Sequence, residues 1–210
     1  MSRLCRSTAL CAAGLSLTGA AQAQGSGDGM YGRVSGDVAL QLDAGGAMIG
    51  GDGAMVVSGA ARYLQSAGLY ASFSEDFRRA VGPAARSLSL GVELRPLFIP
   101  RMGWNWEKGP ATLDLLIDSL SLRLGAVVSR RPDFELDAPG LEAAIALGVP
   151  LTRSAAGPWV TASAGVRWSD AQLWRRHAFE LGHASILTLT LGWQGFVGAH
   201  AVDAGDRLRR

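Results

Sequence analysis

Between Arg86 and Arg95 every second residue is aliphatic: Leu88, Leu90, Val92 and Leu94 alternate with Ser87, Ser89, Gly91, Glu93 and Arg95. A repeat of two places the aliphatics on one face of an extended strand and the small or charged residues on the other, a division no helix can make. Similar alternation predicts strands over Val34–Ala44, Ala54–Tyr63, Ala67–Glu75, Ser119–Val128, Leu141–Leu151, Trp159–Ser169 and Ser185–Phe196. The count is about eight, an even number of the kind single-chain bacterial barrels use. Each stretch also approaches the roughly 9 to 11 residues that a tilted strand needs to cross a bilayer. The fold expected is all-β, an antiparallel up-and-down barrel.

The faces opposite the aliphatics carry Ser58, Ser72, Ser89, Gly91, Gly125, Ala144, Ser163, Gly165, Thr188 and Thr190. Small, mildly polar side chains suit the interior of an eight-stranded barrel, which is just wide enough to be filled by side chains. A water-soluble barrel would reverse the faces, with Leu88, Leu90, Val92 and Leu94 inward and a charged exterior. Charge is sparse at 18%, and Lys108 is the single lysine, so the exterior expected here is one that meets lipid. Arginine-rich genomic composition also suppresses lysine, and a periplasmic lipocalin-like binder stays open as the alternative.

Connections expected to be short, Leu64–Ser66 and Thr152–Gly157, alternate with longer ones at Gly45–Gly53, Asp76–Ala85, Ser129–Gly140 and Asp170–Ala184, as in barrels with tight periplasmic turns and larger external loops. The segment from Pro96 to Asp118 breaks the alternation. There Leu113, Leu116, Ile117 and Leu120 recur at helical spacing after Pro110, with Asp114 and Asp118 on the other side, which predicts a short amphipathic helix between the fourth and fifth strands. Such a helix would lie in the membrane interface or cap the barrel mouth; the competing reading extends the next strand backwards through Leu113, Leu115 and Ile117. Aromatics at strand ends and beside this segment, Tyr63, Phe73, Trp104, Trp106, Trp159, Trp168, Trp193 and Phe196, are expected to form interfacial girdles, with ordinary core filling as the alternative.

At the N-terminus, Arg3 and Arg6 precede an uncharged stretch and the triplet Ala21-Gln22-Ala23, the order of a secretory signal peptide. The stretch is shorter than the roughly 18 to 20 residues of a spanning helix. The organisation expected is a signal peptide over 1–23, an extension over 24–33, a barrel over 34–196 and a tail over 197–210. Cys11 follows Ala9-Leu10 as in a lipoprotein anchor, but almost no apolar stretch precedes it. Cys5 and Cys11 would both leave with the signal, so neither disulfide nor thiol chemistry is expected in the mature chain. Cleavage would leave 18 of the 20 basic residues against 18 acidic ones, a near-neutral chain without the basic face of a nucleic-acid binder.

These strands and connections resemble the small eight-stranded outer-membrane β-barrel proteins over Val34–Phe196. The resemblance implies a monomer in the outer membrane of a Gram-negative cell, with lipid and the barrel assembly machinery as partners. Gly192 and Phe196 echo the terminal signal that machinery reads, although Val197–Arg210 run past it. His183-Ala184-Ser185 is similar to the His-x-Ser motif of the outer-membrane lipid A deacylases, with Ile186 where that family has asparagine. His183 and Ser185 are the catalytic candidates this implies. On the inward faces Asp37, Gln41, Asp43, Arg62, Glu93, Arg95, Arg123, Glu142, Arg167 and Gln194 form the expected lumen network, since ions withdrawn from water must be paired. A path for a polar ligand or ion is the other use of such residues. His177 and His200 lack metal-ligand spacing, and no cofactor motif is present. The function expected is a non-catalytic envelope barrel, structural or loop-presenting, with room for a small hydrophobic ligand. A lipid-modifying hydrolase is the runner-up.

Overall fold

The computed structural model describes residues 30–33, 35–76, 86–104, 106, 109–130, 139–168 and 183–198. The expected signal peptide, most of the tail, His177, His200 and much of three long connections lie outside them. Eight strands, β1 (Val38–Ile49), β2 (Asp52–Tyr63), β3 (Ala67–Asp76), β4 (Arg86–Leu94), β5 (Ser121–Arg130), β6 (Gly140–Pro150), β7 (Gly157–Trp168) and β8 (His183–Val197), pair in sequence order. The sheet closes where β8 pairs antiparallel with β1, Val38 opposite Val197 and Ile49 opposite Ile186. Among the described residues no helix is long and apolar enough to cross a membrane; any crossing would be made by strands.

The alternation decides which way each strand faces. Leu42, Leu69 and Leu189 are 66%, 67% and 62% exposed on the outside, whereas Arg62, Glu93 and Gln194 are buried inside. Leu88, Leu90, Val92 and Leu94 are likewise exposed, which overturns the soluble alternative that needed them inward.

Small residues set the distances inside. Along one row of paired residues Tyr70 stands beside Gly91, Gly91 beside Gly125, and Gly125 beside Glu142. A Cβ at Gly91 would lie 2.2 Å from the Leu124 carbonyl oxygen, and one at Gly125 only 2.6 Å from the Tyr70 hydroxyl. The two glycines therefore leave the space through which Tyr70, on β3, reaches Glu142, on β6. One row lower, Gly68 separates Arg62 from Glu93 in the same manner.

The end of the barrel that carries Val38 and Val197 is covered. Helices α1 (Phe98–Gly103) and α2 (Ala111–Asp118) fill the long β4–β5 connection, so Leu113, Leu115 and Ile117 are helical and do not extend β5. The β1–β2 connection departs from expectation, because the strands continue to Ile49 and Asp52 and only Gly50 and Gly51, both at positive φ, make the turn. Glycine is the residue that enters this two-residue hairpin conformation without strain. At the covered end the β2–β3 turn, beside Val38, places Leu64 and Gln65 at φ 45 and 57, a conformation costly for side chains of their kind.

Candidate functional site

The lower lumen holds a closed polar lattice. Arg62 Nη1 donates to Glu93 Oε1 at 2.9 Å, and its Nη2 donates to Gln194 Oε1 at 2.8 Å and to Gln41 Oε1. Arg123 Nε donates to the second Glu93 oxygen at 2.9 Å, and Arg95 Nε stands 3.6 Å from the first. One carboxylate thus faces three guanidiniums, and the Arg62–Glu93 pair is wholly withdrawn from solvent. Gln41 Nε2 donates to both Asp43 oxygens at 2.9 Å, so Gln41 links the acid and Arg62 through opposite ends of its amide.

A second cluster gathers higher up around Glu142. Tyr70 and Ser89 hydroxyls donate to it at 3.2 and 2.7 Å, and Arg167 Nε donates at 2.6 Å. Arg167 also donates to the Ser87 and Ser89 hydroxyls at 2.7 and 3.2 Å, while Arg123 lies 5.4 Å from the Tyr70 ring centre. Against this cluster lies a small cavity lined by Tyr70, Glu142 and Arg167 together with Ser72, Ser163 and Thr188. The space within it open to water centres is about 30 Å³, enough for water and too small for a lipid chain.

Every residue of the expected lumen network except Asp37 has its side chain in these contacts; Asp37 sits half-buried just before β1. Sequence reasoning missed several partners. Gln65, from the strained turn, is buried and accepts from Arg95 Nη1 at 2.8 Å and from Gln194 Nε2 at 3.3 Å. Ser89 stands on the face expected to line the lumen, and Tyr70 and Ser87 share the parity of named lumen residues, which was the available signal. Gln65 gave none, because turn position says nothing about where an amide points.

The covered end forms a third cluster. Arg33 pairs with Asp118, and Arg101 reaches Asp114 at 2.6 Å and Asp118 at 2.9 Å. Leu115, Ala155 and Trp159 pack together there, with Tyr31 and Phe196 against them. The Ala155 carbonyl accepts from Trp159 Nε1 at 2.9 Å and from Gln194 Nε2 at 3.0 Å, which ties this plug to the lattice above. Trp159 and Phe196 are therefore not girdle residues: their parity turns them inward, and the apolar plug supplies the contacts that lipid was expected to supply. Tyr63, Phe73, Trp104, Trp106 and Trp193 are exposed, and Trp168 is half-buried.

His183 and Ser185 are both exposed, on the outer side of β8 at the end away from the helices. Among the described residues no group of three or more His, Cys, Asp or Glu side chains is placed to hold a metal ion. The arrangement as a whole is that of a closed eight-stranded barrel with an apolar exterior, a salt-bridged lumen and one plugged end. No family model and no curated protein matches the sequence. Among solved structures it is similar to Ail, the attachment invasion locus protein of Yersinia pestis, crystallised with the heparin analogue sucrose octasulfate, at 11% identity and a TM-score of 0.35 over 75% of this chain and 96% of that one.

Proposed function

We propose that the protein is a non-catalytic, non-conducting barrel of the bacterial outer membrane, whose role is structural or lies in the loops it presents. One observation carries this reading: in seven of the eight strands, all but β7, large aliphatics are exposed on the outside, while Gln41, Arg62, Glu93, Glu142 and Gln194 are buried inside. In water that arrangement would leave an apolar surface far beyond the few hundred Å² that soluble monomers ordinarily tolerate. Surrounded by lipid, the same surface is satisfied, and the strands close on themselves so that no backbone edge is left unpaired. Leu90, mid-strand and exposed, is the residue to test. Leu90→Arg is expected to cost about 2 to 4 kcal/mol at mid-bilayer and to reduce the amount of protein in the outer-membrane fraction. Ser72→Ala, inside the lumen, should leave that amount unchanged. Full recovery of Leu90→Arg in the membrane fraction would sink the reading.

A hydrolase acting on lipid is the second reading, favoured only by the exposure of His183 and Ser185 on one side of β8. A serine nucleophile needs a base within hydrogen-bond reach and a third group to orient that base, whereas residues two apart on a strand have Cα atoms roughly 6 to 7 Å apart. Purified protein incubated with lipopolysaccharide is expected to release no 3-hydroxy fatty acid. Release lost in both His183→Ala and Ser185→Ala would replace the proposal by the hydrolase.

A further inference from the structure

We infer that α1, α2 and the tryptophans between them form a second lipid-contact surface, seated in the phospholipid leaflet at the end of the barrel where β1 begins and β8 ends. The inference rests on the membrane reading above and adds a surface to it. It starts from the roll of α2. That helix has an acidic side, Asp114 and Asp118, and an aliphatic side that includes Leu113. A helix on a water-soluble protein turns its aliphatic stripe inward and its charges out. Here both aspartates are turned in, each 3% exposed and sharing the buried side with Leu115, while Leu113 is 46% exposed and Leu116 and Ile117 are half-buried.

What holds the roll is partly apolar, Leu115 packing on Ala155 and Trp159, and partly electrostatic. Arg101 of α1 reaches both aspartates, and Arg33 pairs with Asp118 from the segment before β1. Arg33 and Arg101 are thereby turned away from this surface. Among the described residues Ile99, Met102, Trp104 and Trp106 face outward and are all exposed, and the two indoles lie tilted against each other at 39° with ring centres 4.8 Å apart.

The occupant follows from where this patch sits. Leu97 is three residues beyond Leu94, which is exposed on the outside of β4, so at most about 11 Å of chain separates their backbones. On the other flank α2 runs within a few residues into Leu122, exposed on the outside of β5. The patch therefore continues the apolar belt of the strands it connects. Indole rings, with an apolar body and one N–H donor, favour the headgroup level of a bilayer, and they stand at the border of that belt. Acyl chains that cover Leu94 and Leu122 would reach Ile99 and Leu113 without a gap.

The test uses the full chain with Cys5→Ser and Cys11→Ser, one new cysteine at Ile99, Leu113 or Leu90, and an environment-sensitive fluorophore on that cysteine. The protein is reconstituted in phosphatidylcholine–phosphatidylglycerol vesicles. Labels at Ile99 and Leu113 are expected to be quenched by nitroxides on the lipid acyl chains to an extent comparable with Leu90, and to be shielded from aqueous iodide. If Leu90 is quenched by lipid nitroxides while Ile99 and Leu113 are open to iodide, this inference fails and the membrane reading stands. If Leu90 is also open to iodide, the membrane reading fails. Shielding of Ile99 and Leu113 that ignores lipid nitroxides and is lost on dilution in the bilayer would assign the surface to a second copy of the chain, and would overturn the lipid assignment. As a check free of labels, Trp104→Phe with Trp106→Phe should remove part of the tryptophan fluorescence quenched by brominated lipid; no change in that quenching would count against the inference.

Discussion

Glu93 is the residue on which the lower lumen depends. It is 1% exposed and is the carboxylate that Arg62, Arg95 and Arg123 face together. Guanidinium groups do not lose their protons at ordinary pH, so removing this carboxylate leaves buried cations crowded without compensation. Breaking a buried pair in this way costs about 3 to 5 kcal/mol. Glu93→Gln is accordingly expected to lower the stability of the detergent-solubilised barrel by about that amount, read from its urea midpoint. Arg123→Gln should cost less, since Glu93 then keeps Arg62 at 2.9 Å. Equal and small shifts in both variants would show that water reaches the lattice. The charged members of this lattice were legible from strand parity, because a charge on the face opposite a leucine stripe has nowhere else to go. Which acid meets which base was not, because that depends on Gly68 and on the Gly91–Gly125 pair, which set the lateral reach of Arg62 and Tyr70 across neighbouring strands.

At the scale of elements, the β2–β3 turn shows local preference overridden by the lumen. Ser66 N–H closes it on the Tyr63 carbonyl at 3.0 Å, with Leu64 and Gln65 in the left-handed region between them, where a side chain costs roughly 1 to 2 kcal/mol per residue. Gln65 recovers that cost through its two lumen hydrogen bonds, whereas the apolar side chain of Leu64 is exposed and forms no such bond. Leu64→Asn, a residue that tolerates this conformation, is therefore expected to raise the melting temperature. Gln65→Gly relieves the same backbone but abandons Arg95 and Gln194, and is expected to lower it. Identical responses would mean that the turn, not the amide, is what matters. Strand periodicity was the most legible level of this chain, and it located all eight strands. Their ends were less so: glycine at Gly45 and Gly46 reads as loop, but β1 runs on through both, because Gly45 lies so close to the Leu189 carbonyl that a Cβ there would stand 2.2 Å from it. Of the two helices in the β4–β5 connection, α2 was legible from spacing and α1 was not. The roll of α2 was not legible either, since Arg33 and Arg101, which pair with its aspartates, lie outside the helix.

For the whole molecule the question is passage through the barrel, and two obstructions, joined by the Gln194–Ala155 hydrogen bond, lie in series along the axis. The first is the Arg62, Glu93 and Gln194 layer, whose side chains are essentially without solvent exposure. The second is the plug of Leu115, Ala155 and Trp159 beneath it, held in place by the Arg33–Asp118 and Arg101–Asp118 pairs. An eight-stranded barrel has an interior that side chains fill, so either obstruction alone closes it. The intact protein in a planar bilayer is expected to show no single-channel steps. Asp118→Ala loosens the plug but leaves the lattice, and Arg62→Ala opens the lattice but leaves Trp159 below; neither alone should conduct. Only the double variant, provided it keeps the heat-resistant gel mobility of a folded barrel, is expected to pass small ions. Steps from the intact protein would contradict a non-conducting barrel, and steps from either single variant would show that the second obstruction does not seal.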